Sequence, residues 1–162
     1  MGDIVKKVLI LGLIGLFLGC SSGKQTIHAI YVEPKTSPQT NPVFESAKSA
    51  YENQRYQLAD SLFTDLLLVD ESNWQTPYYL GLINLKKEQF LQSENHLFKA
   101  LDLVDQLKEN RALVYFTLGR LYECQQNLAS AKLSYLTAYR LNPNSLPIQQ
   151  AAEKYQLISS TK

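Results

Sequence analysis

The 162-residue chain carries no useful excess of charge: sixteen Lys and Arg stand against fifteen Asp and Glu, a net charge of +1. Recognition of nucleic acid needs a basic face or stripe, so neither that class nor an acidic substrate is expected. Histidine is scarce: His28 and His96 are the only two, and neither sits in a motif. No set of His, Cys and carboxylates gathers at ligand spacing, so a metal centre would lack donors. There is no Gly-rich phosphate loop, and no nucleophile is paired with a base in a recognisable pattern. Catalysis, a cofactor and a small-molecule substrate are therefore not expected. Cysteine is limited to Cys20 and Cys124. No apolar run reaches the roughly 20 residues that a membrane-spanning helix needs. What remains is 45% hydrophobic and 19% charged, a composition that suits a packed globular domain and argues against disorder.

The longest apolar run, Val8 to Leu18, is eleven residues and follows Lys6 and Lys7. A short positive start and an apolar segment of this length have the form of a secretory signal peptide. Gly19 and Cys20 follow at once, then Ser21, Ser22 and Gly23. The stretch Phe17-Leu18-Gly19-Cys20 resembles the lipobox of bacterial lipoproteins, although Phe17 and Leu18 depart from its usual Leu and small residue. The resemblance implies that residues 1–19 are removed and that Cys20 becomes the first residue, carrying fatty-acyl chains such as palmitate. At about 0.8 kcal/mol per buried methylene, two or three chains hold a protein on a membrane essentially permanently. It also implies that Ser21, rather than Asp, directs the protein to an outer membrane, facing the periplasm. Without residues 1–19 the chain has fourteen basic and fourteen acidic residues. Attachment to a membrane would then rest on the lipid, with no basic patch to assist. With Cys20 committed to lipid, no internal disulfide is expected, and Cys124 reads as a small apolar residue on a helix.

Residues 20–39 are polar, with Pro34 and Pro38 and little helical periodicity, and read as a tether. A flexible segment of this length reaches roughly 25 Å. Within it, Ile27-His28-Ala29-Ile30-Tyr31-Val32 is more apolar than a plain linker. It either packs on the first helices or serves as a short binding strand.

From about Thr40 onward the pattern is helical, and it repeats. Tyr115-x2-Leu118-Gly119-x2-Tyr122 is followed by Ala131-x3-Tyr135, Ala138 and Pro143. Placing Gly81 on Gly119 brings Leu80 onto Leu118, Tyr78 onto Phe116, Ala100 onto Ala138 and Leu103 onto Leu141. The register is 38 residues, with Lys108 to Arg111 inserted between the copies. Gly81 and Gly119 read as positions where a second helix approaches closely, with Ala59, Ala100, Ala131 and Ala138 keeping the opposing surface small. Thr76 before Pro77 reads as a helix N-cap, and Asn142-Pro143-Asn144 as a helix stop.

These motifs resemble the tetratricopeptide-repeat (TPR) family, whose unit is a 34-residue helix-turn-helix. Units fit at 40–73, 74–107 and 112–145. The first is degenerate in its first helix, and all three carry another residue where the family has a turn glycine: Gln54, Glu88 and Gln126. Residues 146–159 read as a capping helix, with Ile148, Ala151, Ala152, Tyr155 and Ile158 at helical spacing. The resemblance implies an all-α, right-handed helical solenoid of three repeats plus this cap. It implies a concave groove lined by Phe44, Lys48, Tyr51 and Glu52, then Tyr78, Leu82, Leu85 and Lys86, then Phe116, Arg120 and Glu123. Tyr51, Tyr78, Lys86 and Arg120 are the expected exposed contacts. Some relatives clamp a peptide's terminal carboxylate, but the matching positions here hold Phe44, Lys48, Tyr79, Leu113 and Thr117, and only Lys48 brings charge. The expectation is a lipid-anchored adaptor or scaffold of the bacterial envelope, binding a protein partner and assisting assembly of a pilus, secretion or cell-wall complex. The alternative is a structural envelope lipoprotein that associates only with itself.

Overall fold

The structure, a computed structural model, describes residues 41–158. The signal segment, Cys20, and the tether with its Ile27–Val32 stretch lie outside the described residues. Among the described residues seven helices follow one another: α1 (Pro42–Glu52), α2 (Tyr56–Val69), α3 (Gln75–Lys86), α4 (Phe90–Leu103), α5 (Lys108–Cys124), α6 (Leu128–Leu141) and α7 (Leu146–Lys154). No strand occurs among the described residues.

The helix starts follow local chemistry. Asn41 accepts a hydrogen bond from the Val43 amide through its side chain, with Pro42 at the first helical position, where its missing N–H costs nothing. Asn127 accepts from the Ser130 amide in the same way at α6. At α3 the expected cap is corrected. The helix begins at Gln75 rather than Pro77, and Asn73 accepts from the Gln75 amide at 3.0 Å. Thr76 is buried inside the first turn. Pro77 is tolerated there because the first four amides of a helix have no partner within it. Lys108 to Arg111, inserted between the copies, form the first turn of α5, the longest of the described helices. Asp105 holds that turn by accepting from the Leu107 amide and from the buried Asn110 side chain.

Each first helix ends in the same turn. Gln54, Glu88 and Gln126 have φ of 59°, 57° and 60°, a left-handed conformation that glycine adopts without strain. In each, the next amide bonds back to a carbonyl five residues earlier: Arg55 to Ala50, Gln89 to Asn84, Asn127 to Tyr122. This is the closing bond of the Schellman motif. The family's usual turn glycine is missing, but the geometry is kept.

The chain then folds back as hairpins, α1 on α2, α3 on α4, α5 on α6, each stacked on the next. Gly81 and Gly119 lie at the crossings. A Cβ on Gly81 would stand 2.8 Å from the Leu97 side chain, and one on Gly119 only 2.5 Å from the Tyr135 ring. Ser93, buried at the α3–α4 crossing, donates its hydroxyl to the Gly81 carbonyl. Ala47 occupies the corresponding place in α1, seven residues before the left-handed turn residue, and is fully buried. Ala59, Ala100, Ala131 and Ala138 are likewise fully buried on the second helices.

Between the first two units the gaps are filled by aromatics. Phe63 stacks on Tyr79 with centroids 4.7 Å apart, and Phe44 meets both rings edge-on. Such pairs add about 0.5–1.5 kcal/mol each beyond the area they bury. Lys87 reaches Asp60 at 2.7 Å, and Tyr122 donates to Glu94 at 2.6 Å, joining neighbouring units at their edges.

The last helix is shorter than the 146–159 segment suggests. α7 stops at Lys154, and Gln156 takes the same left-handed turn at φ 56°, with Leu157 bonding back to Ala152. α7 is thus built like a first helix. At the crossing position, seven residues before the turn, it carries Gln149, whose side-chain amide donates to the Pro143 carbonyl.

Two outcomes follow for stability. Gly119→Ala should cost about 2–3 kcal/mol by overpacking. Gly81→Ala should cost less, because the contact with the Leu97 side chain is less close, 2.8 Å against 2.5 Å, and a leucine adjusts more readily than a tyrosine ring. Urea unfolding of both variants checks the ranking. Replacing Gln54, Glu88 and Gln126 with glycine should raise stability by about 0.5–1 kcal/mol each, the relief of left-handed strain exceeding the entropy glycine adds to the unfolded chain. The midpoint of the triple variant checks this.

Candidate protein-binding groove

The first helices touch one another, α1 to α3 and α3 to α5, whereas the second helices make no comparable contact. The stack therefore curves with α1, α3 and α5 on the inside, and this inner face is the groove that the sequence places on them. The Tyr78 hydroxyl and the Thr117 hydroxyl, 3.3 Å apart, link α3 to α5 beneath its floor.

Several expected contacts turn out to be packing residues. Phe44, Tyr78 and Leu82 are 7%, 3% and 5% exposed, and Leu85 is buried with them. Tyr78 was expected to be open. It faces the neighbouring unit instead, and burial pushes its phenol up to about 12, with the Thr117 bond and the Arg120 charge opposing. An aromatic on an inner helix has neighbours on both sides of the stack, so the same large side chain that could anchor a ligand also serves to join units.

Glu123 is also reassigned. It accepts from Tyr135 at 2.7 Å, from Lys154, and from Tyr155, whose ring stacks on Tyr135 with centroids 5.5 Å apart. Burial alone would raise its carboxyl, but these bonds together hold it below the ordinary value. Burial and the Glu123 bond drive the Tyr135 phenol in the opposite direction, well above its usual range. Glu123 is therefore the clasp that fixes α7 against α5 and α6. No feature of the local sequence points to Lys154, 31 residues away.

What stays accessible is a narrower strip. Tyr51 and Phe116 are half-buried, Lys86 is exposed, and Arg120 is half-buried. Lys48 pairs with Glu52 along α1 at 3.9 Å. Burial raises the Tyr51 phenol; among the nearby charges, Tyr78 adds to the rise and Arg120 opposes it. Burial and the charge of Arg120 both lower the Lys86 ammonium. Four of the five positions corresponding to a terminal-carboxylate clamp, Phe44, Tyr79, Leu113 and Thr117, are buried, so none of those four is open to a peptide end. His96 lies on α4, away from this face, half-buried, with burial lowering its imidazole and Asp60 opposing. Cys124, at the end of α5, is half-buried and packs against the core.

A second concavity of about 320 Å³ opens between α4, α5 and α6, where Phe98 and Leu133 stand over Tyr115, Tyr122, Ser130 and Thr137. Phe98 and Leu133 are 45% and 66% exposed. No described helix is long and apolar enough to cross a membrane.

The fold is that of a TPR-type solenoid whose first helices form an inner face. Solved structures agree with the fold. The first TPR domain of Spaghetti (RPAP3), bound to the HSP90 peptide SRMEEVD, matches with a TM-score of 0.63 at 19% identity, over 72% of this chain and 89% of that one. The Arabidopsis OM64 TPR domain matches with a TM-score of 0.63 at 18% identity, over 73% and 94%. The second TPR domain of human RPAP3, in complex with the HSP70 peptide SGPTIEEVD, matches with a TM-score of 0.61 at 17% identity, over 70% and 92%. No protein-family model and no curated protein matches the chain.

The clasp carries a pH signature. Because the Glu123 carboxyl is lower in the folded state, its contribution is fully present above the unfolded value, about 4.3, and is lost as pH falls through the folded value. Glu123→Gln should therefore flatten the acid limb of the melting-temperature profile while lowering stability at neutral pH. Thermal denaturation from pH 7 down to pH 3 measures both.

Proposed function

We propose that this protein is a lipid-anchored adaptor of the bacterial envelope that holds a protein segment in the inner groove of its TPR-type stack. The observation that carries the reading is the strip left open on that groove, Tyr51, Lys86, Phe116 and Arg120, on a fold whose solved neighbours include two with peptides bound. Aromatic and arginine side chains set among polar groups are the kind that dominate binding energy in protein interfaces. The lipobox-like stretch ending in Cys20 supports the anchor, and Ser21 supports the outer membrane and a periplasm-facing orientation. In this role the protein assists assembly of a pilus, secretion or cell-wall complex by keeping a client at the membrane.

Photo-crosslinkers placed at Tyr51 and at Arg120 in cells should capture one protein, and should fail to do so from Lys132 on the outer side of α6. Only self-crosslinks would mean the rival reading, a self-associating structural lipoprotein, and would overturn the adaptor. Fatty-acid labelling should vanish in Cys20→Ser. Labelling that survives this change removes the anchor as placed.

A further inference from the structure

The second helices that have a unit before them carry polar side chains on the side facing it. Counted from the left-handed turn residues, Leu58 and Leu62 of α2 correspond to Gln92 and His96 of α4 and to Ser130 and Ser134 of α6. In the third unit Ser130 and Ser134, with Tyr115 of α5, line the concavity shared with the preceding α4. These positions therefore face the preceding unit, and Val43 of α1 is the counterpart of Tyr115. No helix precedes α1 among the described residues. In the first unit the same positions lie open, and there they are apolar. Val43 and Leu58 are each 45% exposed, and Leu62 is half-buried. Val69, further along the same row, is 85% exposed, whereas its counterparts Leu103 and Leu141 are half-buried. Asp65 is the polar member of the row. Polar where covered and apolar where open is the reverse of what burial selects, and adjoining exposed aliphatics mark a surface that something covers.

The chain that leads into α1 supplies the occupant. Between Cys20 and Asn41 its apolar stretch is Ile27-His28-Ala29-Ile30-Tyr31-Val32, and residues 33–40 join that stretch to the stack. A link of this length spans at most about 26–29 Å. Packed helices lie about 8–10 Å apart, so the open side of the α1–α2 hairpin is within easy reach of Asn41. The concavity between α4, α5 and α6 lies two units further along, about 16–20 Å more, which takes up nearly all of that span. From Leu58 to Val69 the row runs about 16 Å along α2, at about 1.5 Å per residue. The Ile27–Val32 stretch measures about 20 Å when extended, enough to cover the row from end to end.

We propose that Ile27–Val32 docks on the open side of the first unit, against Val43, Leu58, Leu62 and Val69, and closes that end of the stack. Docking there leaves the inner groove of α1, α3 and α5 uncovered. Its consequence for the tether rests on the anchor at Cys20. With the stretch docked, residues 20–26 alone separate the lipid from the stack, and a flexible segment of that length reaches roughly 15 Å rather than roughly 25 Å. The first unit is then held nearest the membrane.

The test uses the full chain in detergent, with a benzophenone crosslinker in place of Ile30. Peptide mapping by mass spectrometry should place the crosslinks within the same molecule, on α2 between Leu58 and Val69. Crosslinks confined to the inner groove, to Phe98 and Leu133, or to a second copy of the chain overturn the docking, as does their absence. The same crosslinks should persist in Cys20→Ser, so failure of the docking and failure of the anchor read separately. Proteolysis gives an independent measure. Chymotrypsin should cut after Tyr31 about tenfold faster in L58K/V69E than in the unaltered chain, since cleavage tracks the population of the open form. Lys24 lies outside the docked stretch, and trypsin should cut after it at the same rate in both. Leu58 and Val69 are exposed, so the variant should keep the cooperative melting of the unaltered chain. Equal rates at Tyr31 in a variant that melts so overturn the docking, and the crosslinking result holds even where the variant fails to fold.

Discussion

Each hairpin of this stack depends on a crossing where the first helix offers almost no side chain. Ala47, Gly81 and Gly119 occupy that place in α1, α3 and α5, and what the partner helix puts against it differs each time. At Gly81 the space is taken by Leu97 and the neighbouring contact by Ser93. At Gly119 it is taken by the Tyr135 ring, which continues outward to Glu123 and from there to Lys154 and Tyr155. One absent methyl thus seats a ring, the ring positions a carboxylate, and the carboxylate fixes the last helix. A repeat protein has no single central core, so its stability is the sum of such local fits and of the interfaces between neighbours.

The hairpins themselves were legible because their determinants are local. Helical periodicity, two glycines in register and small residues on the second helices specify a helix pair from a few tens of residues. The turn residues show how geometry outlasts its usual residue. Gln54, Glu88 and Gln126 take the left-handed conformation without glycine, since the back-bonding amides and the packing of both helices over-determine it. Thr76 shows the limit of a local rule. The Thr-Pro pair has the form of a helix start, yet Asn73 captures the Gln75 amide first and the helix begins upstream.

The groove was legible as a face but not residue by residue. Position on a first helix says which side chains point inward. It does not say which of them the next unit covers. Tyr78 and Phe116 occupy equivalent places, yet Tyr78 has a following unit to bury it and a Thr117 hydroxyl to bond, while Phe116 keeps more of its surface open. Glu123 was lost to the groove for a similar reason. Its partner lies in the last helix, and a contact 31 residues away leaves no trace in a repeat pattern. Lys86 closes its helix and stays exposed, and neither it nor the half-buried Arg120 enters an ion pair among the described residues.

Gln149 gives the stack a direction. α7 has the turn and the packing face of a first helix, but at the crossing it carries a long polar side chain, tied back to Pro143, where the others have alanine or glycine. A second helix would approach α7 there as closely as α4 approaches α3 only if that side chain moved aside. Repeat surfaces that offer their end to the next copy risk growing head to tail without closure, which yields filaments rather than a defined assembly. Gln149 thus fills a place that alanine or glycine leaves open in α1, α3 and α5.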